Sequence, residues 1–318
     1  MRKRIVFFSL IAACALGCAS KPKTSEPTLH AAEARGFATP KEASDALVSA
    51  AAAYDVGALL AILGPDGRDL VTSADPVQDR QRAEAFVAKA RERTDIQRDP
   101  RDPSRAMLAV GDTTWPLPIP LVKDADGKWY FDARAGRAEI LARRIGDNEL
   151  DVLAICRGYV AAQKEYASQI HDDSGVHQYA QRIVSTPGKH DGLAWQNADG
   201  SWGGPVGPVV ARALEQGYAQ HEPFHGYYFR ILTGQGPSAR LGRLDYVVGG
   251  AMIGGFGLVA WPAEYGVTGV QTFIVGYDGT VYQKDLGPQT PAIASAMELY
   301  DPDPTWKPTA DDWSAPRP

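Results

Sequence analysis

Cysteine is scarce in this chain of 318 residues and occurs only at Cys14, Cys18 and Cys156. Three cysteines cannot support a disulfide-built scaffold. Cys14 and Cys18 also lie in an N-terminal targeting segment, which leaves Cys156 without a partner in the chain. Cys156 stands at helical spacing from Val152 and Val160, so we interpret it as a small core residue rather than as a nucleophile.

Positively charged residues are also fewer than negatively charged ones. The formal net charge is -5, and removal of Arg2, Lys3 and Arg4 with the N-terminal segment takes away three cations and makes it -8. Nucleic-acid binding and electrostatic adhesion to anionic lipid both need an excess of Lys and Arg. We therefore expect no nucleic-acid partner.

Long hydrophobic runs are absent beyond the first residues of the chain. The run from Ile5 to Leu16 covers about a dozen residues, whereas a transmembrane helix needs about 20. It follows the basic start Met1–Arg4 and precedes Gly17-Cys18-Ala19-Ser20, an order typical of a bacterial lipoprotein signal. The sequence therefore predicts cleavage before Cys18 and attachment of a lipid to that residue.

Two alternatives to this interpretation stay open. The stretch Ile11-Ala12-Ala13-Cys14 fits the lipidation pattern better but leaves a very short signal, and the apolar run could also remain as an uncleaved anchor. Neither Ala15 nor Ala19 is the Asp that suggests retention in the inner membrane. By its resemblance to lipoproteins of Gram-negative bacteria, the segment implies an outer-membrane lipid anchor that faces the periplasm.

Signatures of catalysis are missing, because the chain has no Gly-x-Ser-x-Gly elbow and no P-loop. The stretch His221-Glu222-Pro223-Phe224-His225 matches the HExxH pattern of zinc peptidases, but Pro223 would interrupt the helix that this pattern requires. We interpret it as a loop that enters a strand, with His225 hydrogen-bonded locally. His171-Asp172-Asp173 and His190-Asp191 are more typical of turns than of a metal site. We expect no cofactor and no metal.

The order of periodic segments predicts an α+β fold. Helices are expected to begin at the capping residues Thr39, Asp55 and Asp75, and a small antiparallel sheet follows the third helix. A long helical region, which Gly146 could break, then leads to a β-meander. We expect five segments: a signal peptide with the lipidation site (1–18), a flexible tether (19–35), an N-terminal α+β domain (36–135), a long helix with a C-terminal antiparallel sheet (136–300) and a loosely ordered tail (301–318).

The C-terminal region gives the clearest strand signals, with a Tyr277-Asp278-Gly279-Thr280 hairpin turn. Weaker helical patterns cover 179–184 and 206–216, and a closing helix is expected over 290–300. Strands are predicted at 106–110, 115–121, 128–132, 227–232, 245–248, 256–261, 271–275 and 281–284.

Aromatic side chains are the remaining functional clue. Rings beside loops and strands suit protein interfaces or stacking on carbohydrate, although large rings also build cores. The candidate binding residues are Tyr228, Trp261, Tyr265, His190 and His225.

Several long motifs resemble a family of bacterial envelope proteins catalogued as a domain of unknown function (DUF2950). The resemblance implies an envelope location and brings no established activity. It is carried by Phe37–Pro40, Ile62–Gly67, Trp115–Pro120, His225–Arg230 and Leu258–Gly266.

A second resemblance concerns the segment from Asn148 to Ala167, which is similar to the amphipathic helix of type IV pilins and pseudopilins. It implies a pilin-like packing of this helix on the C-terminal sheet. The helix is internal and follows a lipoprotein signal, so it could not enter a pilus core.

From these patterns we expect a lipid-anchored binding or assembly module in the periplasm, with envelope proteins or cell-wall glycan as partners. The alternative is a cell-wall hydrolase or metal-dependent periplasmic enzyme that uses His or carboxylate side chains from the loops at 171–191 and 221–225. A structural spacer is a third possibility.

Overall fold

The computed structural model describes residues 34–171, 175–205 and 222–310, which form an α+β fold. The predicted signal peptide, most of the tether, the helix predicted at 206–216, and Asp172, Asp173 and His221 lie outside the described residues.

The N-terminal helices begin at the three predicted capping residues. The Thr39 Oγ1 accepts a hydrogen bond from the Glu42 amide at 3.1 Å, and the carboxylates of Asp55 and Asp75 cap the next two long helices in the same way. Each cap satisfies an amide that has no partner inside its helix. The helices are α1 (Pro40–Ala52), α2 (Val56–Leu63), α3 (Arg68–Val71), which follows a 3-10 turn at Pro65–Gly67, and α4 (Pro76–Glu92).

An antiparallel sheet follows α4 and shares its core. Its first strand was not expected, because Thr94–Arg98 is largely polar and half exposed. The predicted strand at 115–121 divides into two short pieces, since Pro116, Pro118 and Pro120 cannot donate to a ladder. The strands are β1 (Thr94–Arg98), β2 (Arg105–Val110), β3 (Trp115–Pro116), β4 (Leu121–Lys123) and β5 (Trp129–Phe131), in the order β1-β2-β4-β5 with β3 paired to β2.

A single helix of 34 residues, α5 (Ala133–Tyr166), connects the two halves of the described chain and is about 51 Å long. The predicted break at Gly146 is wrong, because the helix continues through it. One glycine costs a helix about 1 kcal/mol, and buried residues anchor α5 on both sides, from Leu141 to Val152. Neither α5 nor any other helix of the described residues has the length and apolarity needed to cross a membrane.

The C-terminal half contains an antiparallel sheet in the order β17-β15-β14-β13-β8, with smaller hairpins attached. The predicted strands at 227–232, 256–261, 271–275 and 281–284 are confirmed to within a residue at each end. The strands are β6 (Trp195–Gln196), β7 (Trp202–Gly203), β8 (Tyr227–Leu232), β9 (Gly234–Gln235), β10 (Leu244–Asp245), β11 (Val247–Val248), β12 (Ala251–Met252), β13 (Gly257–Pro262), β14 (Gln271–Gly276), β15 (Val281–Asp285), β16 (Leu299–Tyr300) and β17 (Lys307–Pro308).

The two faces of this sheet bury different clusters. One face packs on α5 through Cys156, Tyr159 and Phe273. The other face buries Val259 and Ile274 beneath a short helix, α6 (Thr290–Ser295), and the indole of Trp306. Alternate residues of a strand point to opposite faces, so the neighbours Leu258 and Val259 belong to different clusters.

Three predictions in this half need correction. The helix expected over 290–300 ends at Ser295, because the chain turns into β16 and pairs with β9. The tail was expected to be loose from residue 301, but Trp306 is buried and β17 pairs with β15. No helix forms at 179–184, because the buried Gln163 side chain hydrogen-bonds both the amide and the carbonyl of Ala180.

The cap of α4 also joins the two halves. Asp75 is fully buried; its Oδ1 accepts from the Gln78 amide, and its Oδ2 accepts from the Gly226 amide at 2.8 Å. Asp55, which caps α2, is exposed. Among the hydrogen bonds of the described residues, those of Asp55 stay within the N-terminal half.

We predict that Asp75→Ala lowers the free energy of unfolding by about 2–4 kcal/mol, because it removes a helix cap and leaves the buried Gly226 amide without its acceptor. Asp55→Ala is the matched control and should cost about 1 kcal/mol, the value of an ordinary cap. Urea unfolding followed by circular dichroism measures both. Equal losses in the two variants would show that the Asp75–Gly226 contact adds nothing.

Candidate binding site

A cavity of about 700 Å³ that is open to solvent lies in the N-terminal half, lined by residues from α1 to α5 and the first sheet. Its volume is within the range of roughly 300–1,000 Å³ that is typical of small-molecule sites. Ala85 and Lys89 are exposed and line it, so the cavity reaches the surface there. Most of its wall is apolar and includes Leu47, Leu59, Leu63, Phe86, Leu117 and Ile119.

The sequence of α4 explains why space remains next to the core. Its apolar stripe divides in two: Val87 and Ala90 are buried in the core, whereas Ala83 and Phe86 are only partly buried and face the cavity. Ala83 on α4 and Gly146 on α5 are small, so side chains at these two positions do not fill the space between the helices. The cavity is therefore a result of side-chain size on two facing helices.

Positive charge is concentrated at this cavity although the whole chain carries a formal charge of -5. Among the described residues, four cations and two acids line its wall, an excess of two positive charges. The cations are Arg82, Lys89, Arg143 and Arg144, and the acids are Asp79 and Asp147.

Arg144 is the most deeply buried of these cations and is 5% exposed. Its Nη1 donates to the Asp69 carbonyl at 2.5 Å and its Nη2 donates to the Leu70 carbonyl at 2.8 Å. Its buried Nε has no hydrogen-bond partner among the described residues. Burial lowers the pKa of Arg144, against the opposing effect of the carboxylates of Asp79, Asp69 and Glu264.

Arg82 reaches the cavity from α4. Its Nη2 donates to the Asn148 Oδ1 at 2.6 Å, while its Nη1 lies 3.9 Å from the Asp79 Oδ1 and forms no hydrogen bond within the described part of the chain. Burial, together with the positive charge of Arg144, lowers the pKa of Arg82 to about 10, against the opposing effect of Asp79, Asp75 and Asp147.

The buried acid beside these arginines is already occupied. Asp79 is 5% exposed and accepts hydrogen bonds from the Ser73 amide at 2.5 Å and from the Ser73 hydroxyl at 3.0 Å. Burial raises the pKa of Asp79, against the opposing effect of the Ser73 hydrogen bonds and of Arg144. The Ser73 hydrogen bonds favour the charged carboxylate, so Asp79 offsets part of the positive charge of the two arginines without a hydrogen bond to either among the described residues.

The cavity also contains an indole with two cations against it. The Lys89 Nζ lies 5.5 Å and the Arg143 guanidinium carbon 4.9 Å from the centre of the Trp115 ring. Such cation–π contacts favour a fixed position for the ring. Trp115 therefore provides a natural fluorescent reporter inside the cavity wall.

The charged end of the cavity, which carries Arg82 and Arg144, adjoins the contact between the two halves of the chain. Asn148, fully buried in the middle of α5, accepts from Arg82 and donates its Nδ2 to the Thr268 carbonyl at 2.8 Å. Gly226 packs against the same side chain with φ +71°, and a Cβ there would lie 2.5 Å from the Asn148 Nδ2. Only glycine fits this position.

His225 lies beside this contact, as one of the five candidate binding residues. Its Nδ1 is 2.7 Å from the Asp151 Oδ2, and its backbone is left-handed with φ +51°. Residues 222–226 form a bend, a bridge and a turn, so the described part of the HExxH stretch is not helical.

His190, the second histidine of the set, lies elsewhere. Its ring is 4.5 Å from that of Trp195, and its carbonyl accepts from the Tyr166 hydroxyl. Tyr166 is 15 positions after Asp151 on α5, which is about 22 Å along a helix. The structure therefore does not bring His190 and His225 together. No group of three or more His, Cys, Asp or Glu residues that could hold a metal ion occurs in the ranges described.

Tyr228 and Trp261 lie on the C-terminal sheet, Tyr265 lies in the connection between β13 and β14, and none of the three lines the cavity. Tyr228 and Trp261 are cross-strand neighbours with rings 5.7 Å apart, and Trp261 is 8% exposed in the cluster on the face away from α5. The Tyr265 hydroxyl donates to the Asp285 Oδ2 at 3.3 Å. The Trp261 ring is therefore part of the core.

Cys156 is confirmed as a core residue. It is fully buried on α5, and burial raises the pKa of its thiol to about 12. A thiol of this kind stays protonated at neutral pH and does not act as a nucleophile.

Sequence reasoning missed the arginines and the asparagine of the cavity, although a signal for them exists. The buried stripe of α5 contains Leu141, Arg144, Asn148 and Val152, spaced three or four residues apart. Long polar side chains at the apolar positions of a helix must find partners, so they indicate either a buried network or a ligand.

Comparison with known proteins identifies one family. The family described as "Protein of unknown function (DUF2950)" matches residues 34–309, which is most of the chain. No curated protein and no solved structure matches. The likeness to pilins therefore stays a prediction.

Proposed function

This chain belongs to the DUF2950 family, whose description carries no activity, and from its geometry we propose that it is a binding protein of the cell envelope. The proposal is that the N-terminal cavity accepts a small, largely apolar molecule while a lipid on Cys18 holds the protein at the periplasmic face of a membrane, with the outer membrane as the expected location.

The observation that carries this proposal is the cavity itself. A space of about 700 Å³ with leucine, isoleucine and phenylalanine walls is costly to leave filled with water, since apolar surface in contact with water is unfavourable. A ligand that covers this wall gains on the order of 25 cal/mol for each Å² of apolar surface removed from water. A binding role uses the cavity without requiring catalytic groups.

The arrangement of the histidines favours binding over hydrolysis. Convergence of His190 and His225 with acids in one pocket would favour the hydrolase alternative, but the two contact α5 at Tyr166 and at Asp151. The cavity in turn is lined by neither histidine. Envelope proteins and cell-wall glycan remain the proposed larger partners of the lipid-anchored protein.

We predict that Ala83→Phe weakens binding of the neutral fluorescent probe N-phenyl-1-naphthylamine by about tenfold or more, because the added ring occupies the space between α4 and α5. Ala88→Phe is the matched control, since Ala88 is exposed on the same helix and does not line the cavity. Titration followed by probe fluorescence, with energy transfer from Trp115, measures both. Equal affinity in the two variants would show that the probe does not use this cavity.

The anchor is tested separately by fractionation of cells that express the full chain. We predict that Cys18→Ser moves the protein from the membrane fraction to the soluble periplasmic fraction and stops incorporation of labelled palmitate, because the acceptor thiol is gone. Cys14→Ser should stay in the membrane fraction. Release of the Cys14 variant instead would assign the lipid to Cys14, and retention of both would indicate an uncleaved anchor.

A further inference from the structure

We infer that the ligand of the cavity is an amphipathic anion whose carboxylate or phosphate group lies between Arg82 and Arg144, with its apolar chain along the leucine-rich wall. This inference rests on the proposed function, because it names the chemical class of the ligand for the same cavity.

The first argument is that both guanidinium groups have hydrogen-bond donors to spare. The Arg82 Nη1 and the Arg144 Nε are buried and lack acceptors within the described ranges, and both residues line the cavity. Arg144 is 95% buried, since its exposed fraction is 5%. Buried donors of a charged group are costly to leave without an acceptor, and a carboxylate or phosphate group provides several acceptors at once.

The second argument is the balance of charge. Arg82 and Arg144 repel each other, and burial together with this repulsion holds the pKa of Arg82 below its usual range. Asp79, Asp75 and Asp147 offset part of this charge, but the nearest of them, Asp79, lies 3.9 Å from the Arg82 Nη1 and forms no hydrogen bond with it in the described structure. An anion between the two guanidinium groups would offset the repulsion and favour the charged form of both arginines.

The third argument is that a small inorganic anion would use only part of the site. The wall beyond the arginines is formed by Leu47, Leu59, Leu63 and Phe86, which have no polar atoms for an ion or its water shell. A ligand that matches both parts has an anionic head and an apolar body, the arrangement of a single-chain lipid or a similar organic acid.

The test compares three probes with the same twelve-carbon chain: dodecanoate, dodecyl phosphate and the neutral dodecanol. Each is titrated into the full protein below its aggregation concentration, with Trp115 fluorescence and calorimetry as readouts. Wild-type protein should bind at least one of the two anions about tenfold or more tightly than dodecanol, in line with a charge-assisted hydrogen bond. Preference for dodecanoate or for dodecyl phosphate then assigns the head group to a fatty acid or to a phosphate ester.

The variant Arg82→Gln keeps an amide that can donate to Asn148 and removes the charge. It should lose the preference for the anion and bind dodecanol within about twofold of the wild type. Arg91→Gln is the control, since Arg91 is exposed on the same helix and does not line the cavity. Circular dichroism and thermal unfolding show whether each variant is folded, and the wild-type comparison of probes needs no variant.

The outcomes distinguish failure of the anionic ligand from failure of the proposed binding function. Equal affinity of the wild type for dodecanol and both anions would overturn the anionic ligand and leave the binding function standing. An unchanged anion preference in Arg82→Gln would also overturn the assignment of the head group to these arginines. Failure of all three probes and of N-phenyl-1-naphthylamine to bind would instead overturn the proposed function.

Discussion

The hydrogen bonds of Asn148 are the interaction on which the rest of the structure depends. This side chain is fully buried at the middle of the long helix α5, where it accepts from Arg82 of the N-terminal half and donates to the Thr268 carbonyl of the C-terminal half. A buried amide must satisfy both its oxygen and its nitrogen, so it fixes the relative position of the groups on either side. Two hydrophobic cores are thereby joined around one polar residue.

Several local features follow from this contact. Gly226 is required because a larger residue would collide with Asn148, and the Gly226 amide then has Asp75 as its acceptor. Asp75 in turn fixes the first turn of α4, which carries Arg82 toward the cavity. The charged end of the cavity is therefore built by the contact between the halves, although its walls belong to the N-terminal half.

We propose that the arginines at the cavity serve ligand specificity more than stability. Taking a charged group out of water costs several kcal/mol unless a well-placed partner compensates, and a buried ion pair with an unbalanced third charge is a weak source of stability. The Asp79 carboxylate lies 3.9 Å from the Arg82 Nη1 and is hydrogen-bonded to Ser73. Such a pair of arginines is retained at little benefit to folding, which agrees with a role in holding an anion.

Much of the fold could be predicted from local chemistry. The caps at Thr39, Asp55 and Asp75 and the hairpin at Tyr277–Thr280 depend on a few adjacent residues, and the structure contains each of them. The strands β8, β13, β14 and β15 also follow from their own β-branched and aromatic residues.

The errors arise where distant contacts decide. Gly146 does not break α5, because packing on both sides outweighs its weak helix propensity. The segment at 179–184 is extended because Gln163 holds it, and the helix after Thr290 ends early because the chain pairs with β9. Nothing within those segments contains this information.

The cavity could not be predicted for the same reason. Its wall is assembled from five helices and a sheet between Leu47 and Leu150, so no short stretch of sequence displays it. The aromatic candidates were chosen by residue type, and the structure places Trp261 in a core and His190 and His225 at separate points along α5. The sequence pattern that indicates a buried polar network or a ligand is the presence of Arg144 and Asn148 on the buried stripe of α5.

Native mass spectrometry of the full chain, purified gently from the cells that produce it, tests the central claim most directly. The account predicts one additional bound species per chain, which dissociates on activation and gives the mass of an amphipathic acid in negative-ion mode. Two findings together would contradict the account. Only the unliganded mass would be detected, and the lipid extract of the same preparation would contain no acid that is enriched relative to the extract of a control membrane protein.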